Sequence, residues 1–300
     1  MVTTPEAYVH LSTDKTILTF YYDTLRTDRN GTTWGIWDRN SFSFCPAWAG
    51  GGWRSPNTTV LTAVFDASFR DFRPTTTTGW FYKLTSLKSI EGLEHLNTSQ
   101  VTDMGGMFLG CESLAALDLS SFDTSQVTDM GCMFYGCASL TSLDLSSFDT
   151  SKVTYMGWMF SCCKSLIALD LSNFYTSQVT DMERMFFDCE SLTSLDLSSF
   201  DTSKVTYMNN MFYGCASLTS LDLSSFDTSK VTHMNSMFNS CKSLTTIYCN
   251  SSWSARHSDD MFSGCNSLRA AGDVASIFGE AYDVSRANPE TGYFTKKVLS

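Results

Sequence analysis

The chain predicts an α/β repeat solenoid, with parallel strands along one face, short helices along the other, an N-terminal β cap and a C-terminal cap. From Asn97 to about Tyr248 a 26-residue phrase close to T-S-x-V-T-x-M-x-x-M-F-x-x-C-x-S-L-x-x-L-D-L-S-x-F-D recurs six times. Met104, Met130, Met156, Met182, Met208 and Met234 hold one register, and Cys111, Cys137, Cys163, Cys189, Cys215 and Cys241 hold another. Each unit is therefore one supersecondary turn that buries its apolar face only by stacking on its neighbours.

The elements follow in chain order. Residues 1–56 do not repeat and read as a β-rich cap: Ile17 to Tyr22 has strand character, and Asn30-Gly31 marks a turn before Thr32 to Trp37. Residues 57–96 read as degenerate first repeats, because Val60 to Phe65 forms a strand-like run and Trp80-Phe81, Leu84 and Leu87 align with Met159-Phe160, Cys163 and Leu166. Within the clear units of residues 97–248, Val153, Met156, Met159, Phe160 and Cys163 fall at spacings of three, three, one and three, the pattern of one face of a short helix. Thr150-Ser151 and Thr154 stand where that helix begins and are expected to cap it. Leu169 and Leu171 alternate with Asp170, the two-residue period of a strand with leucines inward and the carboxylate outward. Residues 249–300 hold a shortened last repeat, Met261-Phe262, Cys265 and Leu268, and a tail from Ala287 to Phe294 expected to cover the last coil.

Composition narrows the function. A net charge of -11 argues against nucleic acid and anionic membrane surfaces, which are bound through clustered Lys and Arg. No apolar run has the length of a transmembrane helix, and the start Met1-Val2-Thr3 lacks the features of a signal peptide. Six of the eleven cysteines share one core register, so buried thiols are expected rather than disulfides. His10, His95, His233 and His257 lie in separate regions, with no H-E-x-x-H, no G-x-S-x-G and no phosphate loop. No catalytic, cofactor or metal site is expected, and the chain reads as a non-enzymatic monomer.

The phrase Ser139-Leu140-Thr141-Ser142-Leu143-Asp144-Leu145-Ser146-Ser147-Phe148-Asp149-Thr150-Ser151, followed by Val153-Thr154-Tyr155-Met156 and Met159-Phe160, resembles the BspA-like leucine-rich-repeat surface proteins of bacteria, including the type found in mycoplasma lipoproteins. Leu18 to Asp23 and Phe65 to Phe69 look like that family's N-terminal part, and Gly292-Tyr293-Phe294-Thr295 like its ending. The resemblance implies a leucine-rich-repeat-like fold and an extracellular protein on the bacterial cell surface, adhesin-like, that binds a host or neighbour-cell protein or glycan. Attachment to a cell is implied by the resemblance alone, because the residues themselves predict no signal or anchor. A structural spacer or antigenic coat without a dedicated ligand is the alternative.

Two surfaces are candidates for recognition. Asp118, Asp144, Asp170, Asp196 and Asp222 form an outward column at about the 4.8 Å strand spacing. Neighbours at that distance repel by about 1 kcal/mol, so hydroxyls, lysines or a cation such as calcium should shield them. On the opposite face the column Gly106, Cys132, Trp158, Arg184, Asn210, Ser236 differs in every unit, and the columns through Tyr155 and Tyr135 vary too. Drift of exposed positions is the plainer account. Recognition is the other, because Tyr135, Tyr155, Trp158, Arg184, Phe187, Tyr207 and Tyr213 are binding hot-spot types grouped in the middle units. The aromatic stretch Trp34, Trp37, Phe42, Phe44, Trp48 and Trp53, with Gly50-Gly51-Gly52, is expected to be cap core.

Overall fold

The computed structural model describes residues 4–39, 45–49, 56–270 and 282–297. Phe42, Phe44, Trp53 and the three glycines at 50–52 lie outside the described residues. Strands β1 (Glu6–Leu11) and β2 (Ile17–Asp23) form an antiparallel hairpin, and β3 (Thr32–Gly35) pairs with the other side of β1. The hairpin turn is set by Ser12 and Asp14, whose side chains accept the Ile17 and Thr16 amides at 3.0 and 3.1 Å. β2 then pairs in parallel with β4 (Thr62–Phe65), and β4 with β5 (Ser89–Glu91), so the hairpin continues directly into the stack. Behind this sheet Phe20 stacks on Phe65 at 4.5 Å and on Trp80 at 5.5 Å, while Trp48 donates its indole N-H to Trp80 O at 2.9 Å.

The repeats stack coil on coil, and the backbone ladder joining them runs along the methionine-bearing face. The parallel bridges Asp103 to Asp129, Asp129 to Tyr155, Tyr155 to Asp181, Asp181 to Tyr207 and Tyr207 to His233 mark its course. The short helices expected on this face do not form, and among the described residues there is no α-helix. Trp158, Phe160 and Cys162 instead donate their amides to Glu183, Met185 and Phe187 of the next coil at 2.8, 3.0 and 2.6 Å. Between them, Met159, Ser161 and Cys163 donate to the carbonyls three residues back, Met156, Trp158 and Phe160. Left-handed backbone at Trp158 (φ 63) and Cys162 (φ 60) makes this alternation possible and excludes a continuous helix. A chain of such turns still brings every third or fourth residue to one side, which is why the apolar spacing imitated a helix.

The inward side chains form three ladders. Phe81, Phe108, Phe134, Phe160, Phe186, Phe212, Phe238 and Phe262 stack ring on ring, with centroids 5.4 to 5.7 Å apart and planes within 10°. The ladder thiols are buried and free, and each points at a phenylalanine carbonyl of the preceding coil, as Cys163 does to Phe134 O at 3.2 Å. Thr150 caps no helix. Its buried hydroxyl donates to Tyr175 O at 3.0 Å and accepts the Tyr175 amide at 2.8 Å, and Thr124, Thr176 and Thr202 repeat this bridge with Asp149, Asp201 and Asp227.

On the leucine-bearing face the strands are shorter than the alternation implied. β6 (Ala168–Leu169) pairs with β7 (Ser194–Leu195), and β8 (Ser220–Asp222) with β9 (Thr246–Tyr248), while the units at 115–119 and 141–145 have no strand. The aspartate that follows each inward leucine bends the chain, since its carboxylate takes the amide two residues on. β10 (Phe294–Thr295) pairs in parallel with β9, and Phe294 packs edge-on against Trp253 at 4.8 Å over the last coil.

Candidate recognition surface

Five of the seven aromatic and arginine candidates form one strip across four successive coils. Tyr135 meets Trp158 at 5.8 Å, the Arg184 guanidinium lies 4.2 Å from the Trp158 ring and 5.9 Å from the Phe187 ring, and Phe187 stacks on Tyr213 at 4.8 Å. Glu183 holds Arg184 at 3.0 Å, so the guanidinium is clamped between an aromatic face and a carboxylate. All five are half-buried, with one side against the coils and one in solvent.

The other two stand apart. Tyr155 leans over Gly131, and the position a Cβ would take there lies 2.2 Å from its ring, so only glycine admits this side chain. Tyr207 is exposed and continues into His233 at 5.0 Å and His257 at 4.5 Å, a pairing that the distant histidines gave little sign of. The signal available was the register, because His233 occupies the Tyr207 column and the shortened last unit places His257 beside it.

The varying column itself is the row of left-handed corners. Gly106, Cys132, Trp158, Arg184, Asn210, Ser236 and Asp260 all have φ between 53 and 63. A second row of corners carries glycine at Gly110, Gly136, Gly214 and Gly264, but Lys83, Cys162, Asp188 and Ser240 in the other coils. A non-glycine residue in this conformation is strained by about 1 kcal/mol or more. The two adjacent coils that supply Trp158 and Arg184 have glycine at neither corner.

At the N-terminal end of the strip lies a recess of about 250 Å³, lined by Gly105, Gly131, Asp103, Asp129 and Tyr155 and walled by Cys45, Tyr82 and Leu109. Cys132 and Tyr135 pack against that wall, which joins recess and strip. Burial raises the Asp129 carboxyl above the usual carboxylate range, and the charge of Asp103 adds to it. Burial pushes the Tyr155 hydroxyl up to about 12, with Asp181, Cys132, Asp129 and Glu183 contributing. The Cys132 thiol is pushed up to about 11 by burial and by Asp129.

The acidic column lies on the leucine face, exposed at Asp118, Asp144, Asp170 and Asp196 and half-buried at Asp222. Each carboxylate accepts an amide of its own loop: Ser120, Ser146, Ser172, Ser198 and Ser224 donate at 2.9 to 3.0 Å. The Ser146 amide holds Asp144 below the usual range against the opposing charges of Asp118 and Asp170. Asp222 is also paired with Lys297 from the C-terminal segment. Among the described residues no group of three or more His, Cys, Asp or Glu side chains is arranged to hold a metal ion, and no helix is long and apolar enough to cross a membrane.

A family model described as Mycoplasma protein of unknown function, DUF285, matches residues 75–191 and 163–275. The sequence matches none of the curated proteins. Among solved structures the chain is similar to a leucine-rich-repeat protein of Treponema pallidum, at 17% identity over 87% of each chain with a TM-score of 0.35. A leucine-rich-repeat protein of Bacteroides ovatus is 16% identical over 88% of this chain and 92% of that one, with a TM-score of 0.24. A leucine-rich cell surface protein of Faecalibacterium prausnitzii is 15% identical over 88% and 92%, with a TM-score of 0.28.

Proposed function

Since the chain belongs to the family described as Mycoplasma protein of unknown function, DUF285, and is a BspA-like leucine-rich-repeat protein, we propose that it is a non-enzymatic, adhesin-like binding module. On this reading it acts as a monomer on the outer surface of a bacterial cell and recognises a protein or glycan. The observation that carries the proposal is the strip of Tyr135, Trp158, Arg184, Phe187 and Tyr213, five hot-spot side chains in mutual contact across four coils. Trp158 and Arg184 support it as the large side chains of a column of left-handed corners otherwise filled by Gly106, Cys132, Asn210, Ser236 and Asp260. The acidic column is a weaker candidate, since its carboxylates already accept local amides.

A host-matrix and glycan array probed with the purified protein tests this reading. Signals should disappear in a Trp158→Gly/Arg184→Gly double variant and persist in an Asp144/Asp170/Asp196→Asn variant. Loss only in the second variant, with calcium dependence, would move the site to the leucine face. No signal on any array would favour a spacer or coat protein instead.

A further inference from the structure

We infer that the Asn30-Gly31 peptide in the N-terminal cap is a site of spontaneous covalent modification, where the Asn30 side chain loses its amide nitrogen and His10 promotes the step. The site is independent of the strip and of what binds there.

Asn30 is the one asparagine of the chain followed by glycine, and the fold requires that glycine. Gly31 has φ 127, and a Cβ there would lie 2.8 Å from His10 Nε2 and closer still to Leu11 O, so a larger residue is excluded. With no side chain on Gly31, its backbone nitrogen is unhindered as a nucleophile toward Asn30 Cγ. Both reacting groups are available. Asn30 and Gly31 are exposed, and among the described residues neither the Asn30 carboxamide nor the Gly31 N-H has a hydrogen-bond partner. Other asparagines are held away from this reaction. Asn57, Asn97 and Asn288 accept amides of their own turns at 3.0, 3.1 and 2.8 Å, and Asn173 donates to Leu145 O and Phe148 O at 3.0 and 2.9 Å.

The peptide carbonyl between the two groups is also engaged. His10 Nε2 lies 2.6 Å from Asn30 O, and because a carbonyl oxygen only accepts, the imidazole donates. A donor on that oxygen withdraws electron density from the peptide and acidifies its N-H, which is the Gly31 N-H. Both flanks are anchored. Arg29 donates to Tyr8 Oη at 2.6 Å and pairs with Asp23 at 2.7 Å, while β3 begins at Thr32 opposite Leu11. Ring closure therefore needs only rotation of one side chain and one peptide plane within a fixed frame.

In the reaction the Gly31 N-H proton passes to water and the nitrogen attacks Asn30 Cγ. The N-Cγ bond forms as the Cγ-Nδ2 bond breaks, and ammonia leaves with its third hydrogen supplied by water. A second water opens the five-membered imide at either carbonyl, so position 30 becomes aspartate or isoaspartate with nothing oxidised or reduced. Isoaspartate adds one methylene to the backbone between the Arg29 clasp and β3. No step restores the amide, so the modified fraction rises with the age of the chain.

The test keeps the intact chain in neutral buffer at physiological temperature and follows position 30 by mass spectrometry of peptic peptides, with aspartate and isoaspartate separated by chromatography. A synthetic peptide of residues 26–35 and the variants His10→Phe and His10→Gln run beside it, with thermal melts of both variants. Position 30 should convert faster in the chain than in the peptide. His10→Phe keeps a ring beside Tyr21 but has no donor, and should slow conversion about tenfold. His10→Gln can donate to the same carbonyl and should retain most of the parent rate. A chain that converts no faster than the peptide would overturn the inference, as would a folded His10→Phe chain with the parent rate. If His10→Phe does not fold, the ratio of chain to peptide decides.

Discussion

On the leucine-bearing face Leu166, Leu169 and Leu171 carry the burial, and the backbone of neighbouring coils is joined over only two or three residues where strands form at all. On the methionine-bearing face the amides of Met156, Trp158, Phe160 and Cys162 each reach the next coil, and the ladder continues through every clear repeat. The first face depends on its side chains and tolerates little change at its inward positions. The second satisfies its polar backbone independently of what projects outward, so its outward side chains are free to differ from coil to coil. Variation in this molecule therefore collects where the backbone is most regular.

The largest effect should come from breaking the phenylalanine ladder. Phe160→Ala removes a buried ring stacked on both sides at 5.7 Å and should cost about 4 kcal/mol, because aromatic contacts add to the cavity term. Leu169→Ala on the other face should cost about 2 to 3 kcal/mol. Denaturant midpoints of the two variants measure the difference directly, and equal losses would mean that the faces bear the load alike.

A smaller effect separates two threonines of one coil. Thr150→Val strips the buried Thr150 hydroxyl from the part-buried Tyr175 amide and carbonyl and should cost about 1 to 3 kcal/mol. Thr154→Val removes an exposed hydroxyl that donates to Thr128 O at 3.2 Å, and stability should stay within about 0.5 kcal/mol. If thermal melts rank them the other way, the bridge is not what joins the coils at that register.

Which of these features the sequence discloses depends on whether the signal repeats. The methionine, cysteine and phenylalanine registers are legible because stacking demands the same residue at the same place in each coil. Helix and turn ladder are not distinguishable from Val153, Met156, Met159, Phe160 and Cys163 alone, since both return to one side every three to four residues. The distinguishing sign was Gly110, Gly136, Gly214 and Gly264 in one register, which marks a left-handed corner in mid-segment. Trp158 and Arg184 were legible as outliers of their column, but their mutual contact was not. The recess needed Cys45 and Tyr82 from outside the clear repeats, and no periodicity announces such a wall.

The corners sharpen the contrast further. Gly136→Ala meets no clash, its new Cβ in ordinary contact 3.6 Å from Gly110 Cα, yet should lose about 1 kcal/mol through backbone strain at φ 72. Trp158→Gly relieves similar strain while giving up the Arg184 contact, worth about 0.5 to 1 kcal/mol, so its midpoint should move by no more than about 0.5 kcal/mol. A large loss at Trp158 would show that the strip serves packing.

The smallest effect is electrostatic and has opposite signs on the two faces. Asp129 has its folded pKa raised by burial and by Asp103, so its favourable contribution is complete below the unfolded pKa and is lost as pH rises through the folded one. At neutral pH its charge opposes folding. Asp144 has its folded pKa lowered by the Ser146 amide and side chain, so its contribution is present above the unfolded pKa and is lost as pH falls through the folded one. Asparagine can still accept the local amide at either site. Asp129→Asn should therefore melt above the parent at pH 7, with the gap closing as pH falls toward about 4, whereas Asp144→Asn should melt slightly below the parent at pH 7 and converge with it in stronger acid. Carboxyl-carbon NMR titration supplies the direct reading: the Asp129 midpoint should lie above that of Asp144. Coincident midpoints would mean that the recess is as well solvated as the leucine face.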